Sequence, residues 1–242
     1  MRSLLLTTAA VAAAIGLAGC SKTPTPKSVS TTLDTLAVAI DTQAVTHDTL
    51  PIMYDTLIDT RDGQTYKTVK IDKQTWMAEN LNYQTQSGSW CYNDSASYCK
   101  QYGRLYDWKT ATTVCPKGWK LPSREDWDYL GQAVGGEKMP YYEGMIYWYG
   151  AGQKLKSKSG WNDYKGKNGN GTDDYGFSAL SGGYRGNDGE FGGAGNGGGW
   201  WTATEHGSNY AYYRGMGGIF DSVNEDDDDK RHSFSVRCVA DN

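Results

Sequence analysis

Polarity along the 242-residue chain marks off four stretches. The first is an apolar run from Leu4 to Leu17 behind the positive start Met1-Arg2. Its roughly 14 residues are too few to span a bilayer and suit an export signal. The second, from Ser21 to about Leu57, is rich in Thr and Asp and repeats Asp-Thr every seven residues, at Asp34-Thr35, Asp41-Thr42, Asp48-Thr49 and Asp55-Thr56. A coiled coil on that repeat would put Leu33, Ile40, His47 and Tyr54, with Leu36, Gln43, Leu50 and Leu57, along its seam. Thr and Asp form helices poorly and Pro51 interrupts the last repeat, so an extended acidic tether is expected. It would reach ~30 Å as a flexible coil and at most ~120 Å when stretched.

In the third stretch order is expected to begin near Thr56. Asp62-Gly63 is a hairpin signal, followed by strand-forming Tyr66, Val69 and Ile71 and by alternating large and polar residues from Gln74 to Tyr83. Leu105, Trp108, Ala111 or Thr112, and Cys115, three to four apart and ending before Pro116, predict a first helix. Ser123 with Asp126 resembles a capping box opening a second helix, whose buried stripe would be Trp127, Leu130 and Val134. In the fourth stretch the periodicity fades: positions 141–242 hold 22 of the 31 glycines and no proline. Loops and short strands are expected there, with a last strand at Ser233–Val239. The fold class these elements predict is α+β, with a leader at 1–19, a tether at 20–57 and a single domain at 58–242.

Composition sharpens this picture. Nine Trp, 18 Tyr and 4 Phe in a chain with few aliphatics mean that large rings must supply the core, and exclude a disordered domain. Trp76, Trp119, Trp127 and Trp201 are the expected core rings. The formal net charge of −4 argues against non-specific nucleic-acid binding, which needs a basic surface. Leu17-Ala18-Gly19-Cys20 looks like a bacterial lipobox, with Cys20 as the acylated residue. Ser21-Lys22 lacks the Asp that marks inner-membrane retention, so an outer-membrane or cell-surface location through the lipid anchor is expected. Of the five cysteines, Cys91, Cys99, Cys115 and Cys238 then remain, and an even number in an exported chain predicts two disulfides. Three connectivities are open; the one expected is Cys91–Cys99 with Cys115–Cys238. On the chain-entropy model these would contribute about 2.5 and about 5 kcal/mol.

Four ordered blocks carry a resemblance. They are Lys70–Tyr83 (KIDKQTWMAENLNY), Cys115–Ser123 (CPKGWKLPS), Tyr175–Leu180 with Gly183-Tyr184-Arg185, and Trp200–Glu205 (WWTATE). Together they strongly resemble the Fibrobacter succinogenes major paralogous domain, from about Thr60 to Asp241. The resemblance implies an exported lipoprotein and a C-type-lectin-like fold: two helices flanking small antiparallel sheets, closed by pairing of N- and C-terminal strands. It also implies a long disulfide from the first helix to the last strand, which fits Cys115–Cys238. Ser181 stands where the family pattern has Pro, which predicts a looser entry into Gly182-Gly183. The family brings no settled biochemical activity with it.

Candidate chemistry is therefore read from the residues. Flat rings with polar rims suit sugars, and Tyr147, Trp148 and Tyr149, with Tyr212 and Arg214 from a second aromatic patch, are the expected ligand-binding residues. Three adjacent aromatics cannot all face inward on one strand. Glu225, Asp226, Asp227 and Asp228 offer oxygen ligands that Ca²⁺ would take, although an acidic run of this kind is otherwise a solvated loop. Gly193-Ala194-Gly195-Asn196-Gly197-Gly198 spells G-x-G-x-x-G but neither follows an apolar strand nor opens a helix, so a nucleotide fingerprint is excluded on context. No hydrolase, zinc-protease or P-loop motif occurs, and a cysteine-dependent oxidase would need free thiols. The expected function is a non-catalytic envelope lipoprotein whose domain binds a glycan or an envelope protein. The alternative is a structural or assembly lipoprotein that reads no sugar.

Overall fold

The computed structural model describes residues 51–141 and 144–241. The expected leader, the lipidation residue Cys20 and most of the tether lie outside the described residues. Strands β1 (Tyr54–Ile58) and β2 (Thr65–Ile71) form a hairpin whose turn is closed by the Asp59 carbonyl, which accepts from the Gly63 amide at 2.8 Å. Gly63 adopts a positive φ of 76°, which explains why Asp-Gly stands there. Strand β1 covers the last four positions of the expected tether, so pairing starts at Tyr54. Strand β3 (Gln74–Met77) continues the meander, and β4 (Ser89–Trp90) and helix α1 (Ala96–Tyr102) follow. Helix α1 carries Cys99 and ends at Gly103, with φ of 76°.

The helix expected over 105–115 is mostly absent. Leu105–Asp107 is strand β5, paired with β4 and with a C-terminal strand, and only Trp108–Ala111 coils, as the single-turn α2. The Asp107 carboxylate caps that turn, accepting from the Thr110 amide at 2.8 Å. Pairing partners distant in sequence have overridden the local period. Strand β6 (Trp119–Lys120) precedes α3 (Arg124–Ala133), which opens on the expected capping box. Ser123 Oγ accepts from the Asp126 amide at 3.1 Å and the Asp126 carboxylate accepts from the Ser123 amide at 2.9 Å.

Strands β7 (Glu137–Pro140) and β8 (Ile146–Tyr149), helix α4 (Ala151–Leu155), and short strands β9 (Tyr184–Arg185) and β10 (Phe191–Gly192) lead to three long strands. These are β11 (Gly197–His206), β12 (Tyr210–Gly217) and β13 (Ser222–Asp229), of 10, 8 and 8 residues. They correct the expectation of loops and short strands. Glycine-rich strands persist here because rings of neighbouring strands pack on their bare backbone. The acidic run, read as a solvated loop, is strand β13, paired along β12.

The expected last strand is two: β14 (Ser233–Ser235) and β15 (Val239–Ala240). Strand β14 belongs to the large sheet, in the order β10-β9-β14-β11-β12-β13-β8-β7, and β15 to a small one, β1-β2-β3-β15-β6. Between them the chain crosses from sheet to sheet. The fully buried Arg237 fixes the crossing, its guanidinium donating to Asn80 Oδ1 at 2.8 Å and to the carbonyls of Phe177 and Ser178. Burial among neutral partners lowers its pKa to about 9. Cys238, next along, is joined to Cys115, and Cys91 to Cys99, so both expected disulfides form.

Large rings and aliphatic side chains share the core. One cluster gathers Trp76, Trp127, Phe177 and Trp200; the other gathers Tyr106, Trp201 and Phe234, so successive residues of β11 serve opposite sides of the sheet. Ser181 is buried, donates to the Gly160 carbonyl and accepts from the Gly195 amide, so the turn expected to be loose is held by hydrogen bonds. Among the described residues no helix is long and apolar enough to cross a membrane. The architecture is α+β, mostly sheet with four short helices among the described residues.

Candidate functional site

The middle of the large sheet presents paired glycines. Gly197 faces Gly217 across β11 and β12, and Gly199 faces Gly215. Side chains alternate along a strand, so all four share one face. Bare backbone therefore lies beside the next pair on that face, Trp201 opposite Tyr213. Phe234 of β14 walls one side, so close that a Cβ on Gly199 would meet its ring at 2.6 Å. Tyr184 of β9 stands beyond it, with 6.3 Å between ring centroids. On the other side β13 places Asn224 next to Gly215 and Asp226 next to Tyr213.

Phe220, between β12 and β13, closes the far end against Gly217. Its position is set by Lys156, a buried lysine whose ammonium donates to the carbonyls of Gly169, Gly217, Gly218 and Phe220 at 3.0, 3.2, 2.5 and 3.2 Å. Burial lowers the pKa of Lys156 below the usual lysine range, and its carbonyl partners replace the water it has lost. The groove so formed has a volume of about 300 Å³. Tyr184 and Phe220 are 43% and 58% exposed, ready to lie against a ligand.

The groove is apolar with two polar groups. Asp226 is half-buried, and loss of water raises its carboxyl above the ordinary aspartate pKa. Burial, reinforced by that carboxylate, also pushes the Tyr213 phenol up. Among the described residues no Lys or Arg lines the groove. Such a site can hold flat C–H surfaces on its rings while Asn224 and Asp226 take hydroxyls.

The opposite face corrects three expected ligand residues. Trp148 is 6% exposed, its ring set against Gly131 of α3, and its indole N–H donates to Asp128 at 3.1 Å. Arg214 is fully buried, bonded to Asp128 at 2.7 Å and to Glu225 at 2.6 Å. Tyr212 shares that face, lying 4.5 Å beneath the Arg124 guanidinium and stacked 4.8 Å from His206. Tyr147 and Tyr149, by contrast, are on the groove face, Tyr147 directly across from Asn224 and Tyr149 across from Ser222.

The calcium site is also corrected. Strand alternation sends Glu225 and Asp227 to one face and Asp226 and Asp228 to the other. Glu225 is engaged by Arg124 and Arg214, Asp227 by His206 at 3.3 Å and Asp228 by His232 at 2.7 Å. Among the described residues no group of three or more such side chains is placed to hold a metal ion.

Tyr184, Phe220, Phe234 and Asn224 were not legible as a site in sequence. The one signal that could have found them is the spacing of Gly197 and Gly199 against Gly215 and Gly217, which clears a single sheet face. A larger cavity of about 650 Å³ lies beside α1, lined by Gln64, Asn82, Gln84, Gln101 and Arg104 among others. Some of its polar groups bond one another, Gln64 to Asp62 at 2.5 Å and Arg104 to Gln84 at 2.8 Å, while Asn82 Oδ1 and Arg104 Nε have no hydrogen-bond partner among the described residues. The Arg61 guanidinium, 3.9 Å from the ring of Tyr83, covers the aromatic surface it could have offered.

The groove residues and both disulfides fall within residues 69–240, the span matched by the family model of the Fibrobacter succinogenes major domain. No curated protein and no solved structure matches the chain. With well over half its length matched in one continuous span, the chain belongs to the Fibrobacter succinogenes major domain family.

Proposed function

We propose that the chain is a non-catalytic, lipid-anchored protein of the outer membrane or cell surface that presents a C-type-lectin-like domain to a glycan. The observation that carries this reading is the glycine-floored groove with exposed Tyr184 and Phe220 on its rim and Asn224 and Asp226 within reach. Sugars present alternating C–H faces and hydroxyls, and this lining answers both. The lectin-like reading is supported by the pairing of β15 with β3 and by the long Cys115–Cys238 link. Anchoring rests on the Leu17–Cys20 motif. The absence of catalysis is proposed because two disulfides occupy the four cysteines an oxidase would draw on.

The test is binding of the full chain to immobilised neutral polysaccharides and to a glycan array, for the native protein and for Tyr184→Ala and Phe220→Ala. Retention of the native protein, weakened about tenfold in either variant while the folding transition persists, is expected. Absence of retention on any glycan, with an envelope protein captured by crosslinking instead, would leave the assembly role as the better account.

A further inference from the structure

The groove is one part of a longer row. Reading across the strands, Tyr184 of β9 meets Phe234 of β14, which lies on Gly199 of β11. Gly199 faces Gly215 of β12, Gly215 faces Asn224 of β13, and Asn224 faces Tyr147 of β8. Six strands thus contribute one residue each to a line running across the sheet. At ~4.8 Å per strand, the five steps from Tyr184 to Tyr147 cover roughly 24 Å, several sugar rings rather than one. Beyond Asn224 the surface remains aromatic: the ring of Tyr147 meets that of Tyr141 edge to face at 6.1 Å, and Tyr149 is 55% exposed.

Charge along this row is one-sided. Asp226 is the carboxylate in the groove, and the nearby cations turn away. Arg185 shares its face with Ser233 and lies 4.5 Å from the ring of Trp90, while Lys138 pairs opposite the inward-facing Trp148. An acidic sugar would meet repulsion without a compensating cation.

We propose that the row is an array of subsites for an unbranched, uncharged polysaccharide chain lying across the strands, with Tyr147 and Tyr149 extending the groove past Asn224. This rests on the glycan reading of the groove. A chain with equatorial linkages lays its flat faces on the rings at the two ends of the row, Tyr184 at one and Tyr147 with Tyr149 at the other, and crosses the glycine floor between them, its hydroxyls reaching Asn224 and Asp226 on β13.

Calorimetric titration of the full chain with β-1,4-linked gluco-oligosaccharides, from the disaccharide to the hexasaccharide, tests it, with β-1,4-linked oligoglucuronates, which keep the equatorial linkage, as the acidic arm. Affinity is expected to climb with length. The double variant Tyr147→Ala, Tyr149→Ala is expected to lower hexasaccharide affinity about tenfold (~1.4 kcal/mol) and leave the disaccharide unchanged. A disaccharide that binds as tightly as the hexasaccharide, or a double variant without effect on the longer chain, overturns the array while the groove reading stands. Oligoglucuronates bound as tightly as the neutral series overturn the charge selection. No binding at any length overturns the array, and the groove reading falls with it only where the glycan array is blank as well.

Discussion

Asp226 is the residue whose state sets the chemistry of the groove. As a carboxylate paired across from Tyr213, it would accept hydrogen bonds from hydroxyls of the proposed glycan; protonated, it gives up part of that capacity to an O–H donor. Burial raises its pKa, so the loss begins at higher pH than for an exposed aspartate. Glycan affinity is therefore expected to fall as pH is lowered from about 7 towards about 4, and to flatten in Asp226→Asn. The stability effect has the opposite sense. With its folded pKa above the unfolded value, Asp226 favours the native state most at low pH, and that contribution is lost as pH rises through the interval between the two. Asp226→Asn is expected to unfold at a higher temperature than the native protein at neutral pH. Sequence reasoning placed Asp226 in a cation site because four acids in a row resemble a ligand set. The two-residue period of a strand, invisible until the segment is known to be one, distributes them to opposite faces. The same period explains Trp148: three adjacent aromatics cannot all face inward, and it is the tryptophan that does, while Tyr147 and Tyr149 face out.

At the scale of elements, β12, β13 and α3 are joined by buried charge as well as by apolar packing, Leu130 of α3 sharing a core cluster with Met216 and Val223. Arg124 of α3 and Arg214 of β12 converge on Glu225 of β13, which is fully buried, and Asp128 of α3 meets the same Arg214 nitrogen as Glu225, leaving Arg214 Nε and Nη1 without a partner among the described residues. Removing one member strands the others in a dry environment. Glu225→Ala is expected to destabilise the fold by about 3–5 kcal/mol in denaturant titration, whereas Asp227→Ala, half-exposed on the same strand, should cost well under about 1 kcal/mol. Helix α3 was legible because its capping box and apolar stripe are local signals. Strand β5 was not, since Leu105, Trp108 and Ala111 keep a helical spacing that only the distant partner β14 overrides. The long strands were hidden for a related reason: their inward positions are glycine, aromatic or charged, and no alternation of aliphatics announces them.

Across the whole molecule, two sheets are tied by one C-terminal segment. Strand β14 completes the wall of the groove through Phe234, Arg237 locks the crossing, and the disulfide at Cys238 holds the end of the chain to Cys115. This level was the most legible, through an even cysteine count and four ordered blocks, because covalent links and family motifs survive where local periodicity fails. The groove depends on that closure, since loss of β14 would remove one wall. The central claim is that the glycine-floored face is where ligand sits, and backbone NMR titration of the full chain with a neutral gluco-hexasaccharide tests it most directly. The account predicts saturating shifts at the amides of Gly197, Gly199, Gly215 and Gly217, with Asn224 and Phe220 following. Shifts confined to the polar cavity around Asn82 and Arg104, or none at saturating sugar, would contradict it.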